Sequence, residues 1–227
     1  MAIINFAHRE IIALIVYFGP PGSGTTSNVL HLYDHLDVEE KSTLHHFAAR
    51  TENHESRFFD YMPLSGGPIQ GFTMRVRIYS LPGDIRNVTH RDQILRDVDG
   101  LIFVADSRQG REKDNTRYLL ELEASLQEQN VEMARLPLVF QLNHRDGPNP
   151  QPIDTLTKEL NPYGFPVISA EAMNGKGVKE THDEVMRMLV KRISKSLEGD
   201  KTAIKINTVH HGNREKADDV IQRHVQA

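Results

Sequence analysis

Residues 19–27 read Gly-Pro-Pro-Gly-Ser-Gly-Thr-Thr-Ser, and the glycine spacing is that of a loop that wraps phosphate. In a G-x-x-x-x-G-K-[S/T] turn, backbone N–H groups and the positive end of the next helix hold the β-phosphate. A lysine reaches the outer phosphates and a hydroxyl ligates Mg²⁺. Here Gly19, Gly22 and Gly24 permit the tight path, Ser23, Thr25, Thr26 and Ser27 complete the cradle, and Thr26 takes the Mg²⁺ position. Thr25 stands where the lysine belongs. The amide cradle does not depend on that lysine, and Pro20 and Pro21, which lack an N–H, precede the part whose amides turn inward. Gly-Pro-Pro-Gly is also ordinary turn chemistry, so this stretch alone leaves a plain turn open.

Two further stretches carry chemistry of the same kind. Asn143-His-Arg-Asp146 follows an apolar run, where an N-K-x-D segment would sit. The Asp146 carboxylate there can accept both the ring N–H and the exocyclic amine of guanine, an edge that adenine presents with opposite polarity. His144 replaces the lysine of that segment and offers a flat side chain to base and ribose. Further on, Ser169-Ala170 precedes Asn174-Gly-Lys-Gly-Val178, the layout of an S-A-x segment whose backbone amide touches the guanine oxygen. Each stretch also reads as a polar loop.

The elements that must position these residues alternate in the βαβ manner, which predicts an α/β fold with a central, mostly parallel sheet. Strands are expected near 3–8, 11–18, 57–63, 71–80, 100–106, 136–142 and 165–169, and helices at 26–36, 88–97, 111–131, 153–160 and 177–198. Leu101–Ala105 and Leu138–Leu142 are continuous rather than alternating, as in strands buried on both faces. The turn Leu64-Ser-Gly-Gly-Pro68 is too short for a crossover, so the strands on either side of it should pair antiparallel. All three chemical stretches then fall at the C-terminal ends of strands, the edge where open α/β sheets bind ligands.

Composition narrows the setting. The 227 residues include no cysteine, which removes disulfides, thiolate metal sites and C-terminal prenylation, and no apolar segment reaches membrane-spanning length. A cytoplasmic protein without membrane insertion is expected, and the net charge of −4 speaks against broad nucleic-acid binding. Twelve histidines include the pairs His45-His46 and His210-His211. Adjacent side chains on a strand point to opposite faces, so these pairs do not suit one metal.

The chain resembles the Ras-like small GTPases, and within them the bacterial MglA family of cell polarity and gliding motility. The resemblance rests on Asn5, Arg9-Glu10, Val16-Tyr17, Gly19-Pro20, Thr26, Asn28, Phe58-Phe-Asp60, Pro63-Leu-Ser65, Gly71-Phe72, Pro82-Gly83, Val98-Asp-Gly100, Phe103-Val-Ala-Asp-Ser107, Asn143 and Arg145-Asp146. It implies a Ras-like P-loop G domain over 1–198, with six to seven strands and helices on both faces. A polar extension at 199–227 follows, with a short amphipathic helix at 213–225. It further implies GDP or GTP with Mg²⁺ held by Thr26 and Ser56, nucleotide contact at Gly83, and two switch segments at about 42–56 and 82–95. Effectors and a roadblock-type GAP-like partner would read those segments, and partners would recruit the protein to a cell pole.

Departures from the family pattern gather at the γ-phosphate. The loop lysine is Thr25, the arginine finger and following threonine correspond to Glu55 and Ser56, and the catalytic glutamine is Asp84. Each of the three catalytic replacements lowers the local charge. Hydrolysis in this class consists of placing a water and neutralising phosphoryl charge, and a missing arginine finger alone costs ~10³–10⁵ in rate. Asp84 as a base would be repelled by phosphate by about 4 kcal/mol per unit charge at ~4 Å in an effective dielectric of about 20. Binding suffers less: one lost charged hydrogen bond costs roughly 10- to 150-fold. Two functions follow: a guanine nucleotide-binding regulator with slow or absent hydrolysis, or a nucleotide-independent pseudo-GTPase that serves as an interaction module. Arg50, Arg57 and Arg86 lie near enough to the switches to return some positive charge.

Overall fold

The computed structural model describes residues 2–37, 40–48, 55–61, 69–82 and 88–199. In chain order these form β1 (Ile3–Asn5), β2 (Glu10–Gly19), α1 (Thr25–His35), β3 (His45–Ala48), β4 (Glu55–Tyr61), β5 (Thr73–Pro82), α2 (Val88–Arg96) and β6 (Gly100–Asp106). They continue with α3 (Glu112–Glu128), β7 (Leu138–Asn143), α4 (Ile153–Leu160), β8 (Val167–Ser169) and α5 (Val178–Gly199). The five helices lie within a few residues of the predicted spans.

Eight strands make one sheet in the order β3-β4-β5-β2-β6-β7-β8, with β1 paired to the start of β2. The strands from β5 through β8 run parallel, whereas β3 and β4 are antiparallel. The β4–β5 hairpin is the antiparallel pair that the short intervening turn predicts. Seven strands lie side by side, within the six to seven expected, and β1 is an eighth off that path. The strand absent from the sequence reading is β3, whose His-His-Phe-Ala has too few apolar residues to declare itself.

Strand alternation sends side chains to opposite faces, and each face takes its own helices. Val16, Phe18, Leu101, Phe103, Leu138 and Phe140 pack with Leu95 of α2, Tyr118 and Leu122 of α3, and Leu156 of α4. Their neighbours Ile15, Tyr17, Ile102, Val104 and Val139 pack with Val29 of α1 and Val185, Leu189 and Ile193 of α5. Every residue of β6 and β7 is buried, as their continuous rather than alternating runs predict. Among the described residues no helix is long and apolar enough to cross a membrane. The 200–227 extension, with its expected helix at 213–225 and His210-His211, lies outside the described residues.

The consequence of the topology is that four loops share one edge. Those after β2, β6, β7 and β8 all leave the C-terminal ends of neighbouring parallel strands, with Phe18 opposite Phe103, Asp106 opposite Asn143 and Leu142 opposite Ser169.

Candidate functional site

At two positions the turn from β2 into α1 can only be glycine. A Cβ on Gly19 would lie 2.2 Å from Val104 O, and one on Gly24, at φ 100°, would lie 2.2 Å from Asn143 Nδ2. With those approaches fixed, the loop carbonyls point outward and protein donors meet each from Pro20 to Gly24. Pro20 O accepts from Ser23 N–H (3.0 Å) and Pro21 O from Arg111 Nη2 (2.7 Å). Gly22 O accepts from Arg108 Nη2 (3.2 Å) and His144 Nε2 (2.8 Å), and Ser23 O from Asn143 Nδ2 (2.7 Å). Gly24 O takes both the N–H (3.0 Å) and the Nδ2 (2.9 Å) of Asn28.

The helix start has the opposite character. Gly24 is the N-cap of α1, no side chain caps the helix, and its first turn holds no acid. The N–H groups of Thr25, Thr26 and Ser27 have no intrahelical acceptor by geometry. Such an end, at the base of a loop with its carbonyls tied back, presents donors and a positive dipole suited to an anion. Buried Ser23 Oγ has no hydrogen-bond partner among the described residues, which fits a loop shaped around a further polar group. Thr25, in the lysine position, is 7% exposed, while Thr26 and Ser27 are partly accessible. A partly accessible hydroxyl at Thr26 fits a cation held mainly by phosphate oxygens. Among the described residues no three His, Asp or Glu side chains gather as a resident metal ion would need.

Asn143, at the end of β7 and 1% exposed, joins three loops through one amide. Its Nδ2 donates to Ser23 O and its Oδ1 accepts the Ala172 N–H (2.9 Å). His144 has φ 60°, which carries its ring back over the phosphate loop to Gly22 O. Arg145 N–H donates to Ala170 O (3.2 Å), and Asp146 is exposed beyond it. The Ala170 N–H donates to Leu142 O (2.8 Å) in continuation of the β7–β8 ladder, so this amide, expected from the sequence to meet a base, already has an acceptor. Ala172 lies closer to the loop, its Cβ 3.9 Å from the position a Gly24 Cβ would take.

Side chains outside the three nucleotide-like stretches hold this arrangement in place. The Asp106 carboxylate is fully buried and accepts from Arg108 Nε (2.9 Å to Oδ1), Arg108 Nη2 (2.6 Å to Oδ2) and Arg111 Nε (3.0 Å to Oδ2). Burial by itself would raise the Asp106 pKa, but the hydrogen bonds from the Arg108 side chain and backbone outweigh it and hold the carboxyl below the ordinary aspartate value. Beneath the loop, Asn28, Gln141 and Thr181 form a buried network in which the two amides exchange hydrogen bonds of 2.8 Å and Gln141 Nε2 donates to Thr181 Oγ1 (3.0 Å). Two signals were available in the sequence. Asp106-x-Arg108-x-x-Arg111 directly follows a buried strand, and Gln141 interrupts an otherwise apolar one.

Gly83 and Asp84 lie outside the described residues, as do Arg50 and Arg86. Glu55, Ser56 and Arg57 belong to β4 by their backbone, but their side chains lie outside the described part.

No family model matches the chain. It is 37% identical over 195 residues to the mutual gliding-motility protein MglA of Myxococcus xanthus (strain DK1622), and the match covers 86% of this chain and 99% of that protein.

Proposed function

On the premise that the chain belongs to the MglA family of Ras-like small GTPases, we propose that it is a guanine nucleotide-binding regulator of gliding motility and cell polarity that hydrolyses GTP very slowly or not at all. One observation carries the nucleotide reading: Asn143 and His144 tie Ser23 O and Gly22 O, so the base-reading loop and the phosphate loop are one rigid unit. Locking them together sets the distance between a base contact and a phosphate contact before any ligand arrives, which lowers the ordering cost of binding.

In this reading the α1 amides from Thr25 to Ser27, with Gly22, Ser23 and Gly24, hold the β-phosphate, and Thr26 would hold Mg²⁺. The Asp146 carboxylate selects guanine, and the His144 ring lies against base and ribose. The cation, when bound, supplies charge neutralisation between phosphates. Ser169 and Ala170 close the base side. The Ala170 N–H is bonded to Leu142 O and the Ala172 N–H to Asn143 Oδ1, so this segment borders the base side with its amides already held. Gly83, Asp84, Glu55 and Ser56 are the family's γ-phosphate positions. The charges of Asp84 and Glu55 remove the usual preference for GTP over GDP, and effectors and a roadblock-type partner read the segments 42–56 and 82–95. The relative from Myxococcus xanthus is named for gliding motility, and the cellular assignment follows that name.

A second reading, an interaction module that never takes nucleotide, is favoured by one observation. Buried Thr25 replaces the cation, and protein donors already hold every loop carbonyl from Pro20 to Gly24, so the loop keeps its shape alone. Calorimetric titration of nucleotide-stripped protein with GDP, GTP and ATP, with and without Mg²⁺, separates the two. Micromolar or tighter binding of GDP and GTP, with no heat from ATP, supports the regulator. The absence of heat and of thermal stabilisation with any of the three would sink it.

A further inference from the structure

The phosphate loop lacks its lysine, yet the chain places two arginines against it from a loop some ninety residues away. Arg111 Nη2 donates to Pro21 O and Arg108 Nη2 to Gly22 O, the latter at 86 residues' separation. Neither arginine is held by a surface partner alone. Asp106, with a fully buried side chain, grips both: Arg108 through Nε and Nη2, and Arg111 through Nε. Arg111 Nη1 is also paired with Asp114 at 2.5 Å, which leaves Arg111 with a carboxylate on each side.

Arg108 differs in what remains free. A guanidinium has five N–H donors. In Arg108 the Nε and Nη2 groups are used by Asp106 and Gly22 O, while Nη1 meets no acceptor among the described residues and the side chain is 48% exposed. Its Nη2 lies 3.7 Å from where a Cβ on Gly22 would stand, at the mouth of the loop. The Asp106 hydrogen bonds hold the guanidinium there without ligand, so less side-chain freedom is lost when an anion arrives. Direct contact with phosphate oxygens suits this residue, because the two N–H donors of its charged Nη1 remain for them.

We infer that Arg108, braced by Asp106, supplies at the mouth of the phosphate loop the positive charge that Thr25 has removed, and contacts the phosphates of a bound guanine nucleotide. The inference rests on the nucleotide-binding reading above. It differs from restoration of charge by the switch arginines, since Arg108 belongs to the rigid edge of the sheet. It also explains how a loop without lysine keeps a ligand: the lost charge is replaced from the β6–α3 turn.

The test is titration of the stripped full-length protein, wild type and Arg108→Gln, with GDP and with guanosine. Arg108→Gln should weaken GDP by about 10- to 150-fold, the range of one charged hydrogen bond. Guanosine, which carries no phosphate, should change less than about twofold. Arg135→Gln removes an exposed charge, 76% accessible, from the turn that precedes β7 at the edge of the sheet opposite the loops, and should leave GDP affinity unchanged. The fold should survive the change at Arg108, because Arg111 still pairs with Asp106. Should the glutamine variant fail to fold, Arg108→Met keeps the stem and removes the charge. Wild-type GDP binding that persists undiminished in the neutral variant overturns the role of Arg108 and leaves the nucleotide reading standing. An equal loss for guanosine and GDP overturns the phosphate contact in favour of loop positioning. No GDP binding by the wild type overturns both readings.

Discussion

Asn143 shows how much can depend on one amide. It is buried, bonded to two loops, and faced by a glycine that leaves no room for a methyl group. Gly24→Ala puts a Cβ 2.2 Å from Asn143 Nδ2 at a φ of 100°, so the amide must leave Ser23 O or the helix start must move. The expected cost is ~1–3 kcal/mol of stability by denaturant unfolding, together with loss of GDP binding. Stability within ~0.3 kcal/mol of wild type would mean that the loop adapts and is not the rigid unit described. His182, on α5, makes a second prediction, in pH. Burial lowers its pKa to about 4, Asp183 opposing and Lys179 adding to the shift. The unfolded chain titrates near 6.5, so between the two values the unfolded state binds the proton and the folded state does not. This contribution is complete above about pH 6.5 and declines as pH falls towards 4. Between pH 7 and 5 it should remove ~2 kcal/mol, and His182→Leu should abolish that part of the slope in urea titrations at each pH. Nothing in the sequence distinguished this histidine from the other eleven, because its shift comes from packing and not from a neighbouring motif.

At the scale of elements, the site is a set of strand ends held in register by buried polar bonds. Asn28 on α1, Gln141 on β7 and Thr181 on α5 close a network on the α1–α5 face of the sheet, under the phosphate loop. Asn28→Ala deletes both amide bonds to Gln141 and the second bond to Gly24 O, and leaves the buried Gln141 amide with Thr181 alone. The expected loss is ~2–3 kcal/mol, seen as a lower denaturation midpoint with an unchanged slope. A loss under ~0.5 kcal/mol would show that solvent enters and replaces the bonds. The sequence disclosed these elements to the extent that burial leaves a pattern. β6 and β7 are buried on both faces and read as continuous rather than alternating runs, and α5 carries a stripe at helical spacing. β3 is short, sits at the edge of the sheet and carries two histidines, so neither alternation nor apolar content marks it. The β7–β8 ladder runs on into Ala170, which gives that residue's N–H to Leu142. Register of this kind depends on strand pairing, which a local segment cannot reveal.

For the molecule as a whole, the three stretches proposed to hold nucleotide could be picked out because each lies within a short segment, whereas the Asp106–Arg108–Arg111 brace depends on which strands adjoin. β6 and β2 must be neighbours before Arg108 can reach Gly22, and that adjacency is a property of the fold. The same distinction governs catalysis. Phosphoryl transfer needs charge from the phosphate loop, the first switch and the second switch together, and groups that act as a unit give strongly non-additive effects. Thr25, Glu55 and Asp84 come from three separate parts of the chain. Restoring one of them leaves two deficits, at least one of which is a carboxylate repelling the phosphate. Thr25→Lys, Glu55→Arg and Asp84→Gln are therefore each expected to leave turnover at the wild-type level in a phosphate-release assay. The triple variant should gain at least ~10³-fold, the lower bound for an arginine finger once the other groups are in place. Many turnovers per hour by the wild type alone would refute the loss of catalysis. Full activity from one reversion would refute the cooperative account of it and assign the deficit to that residue.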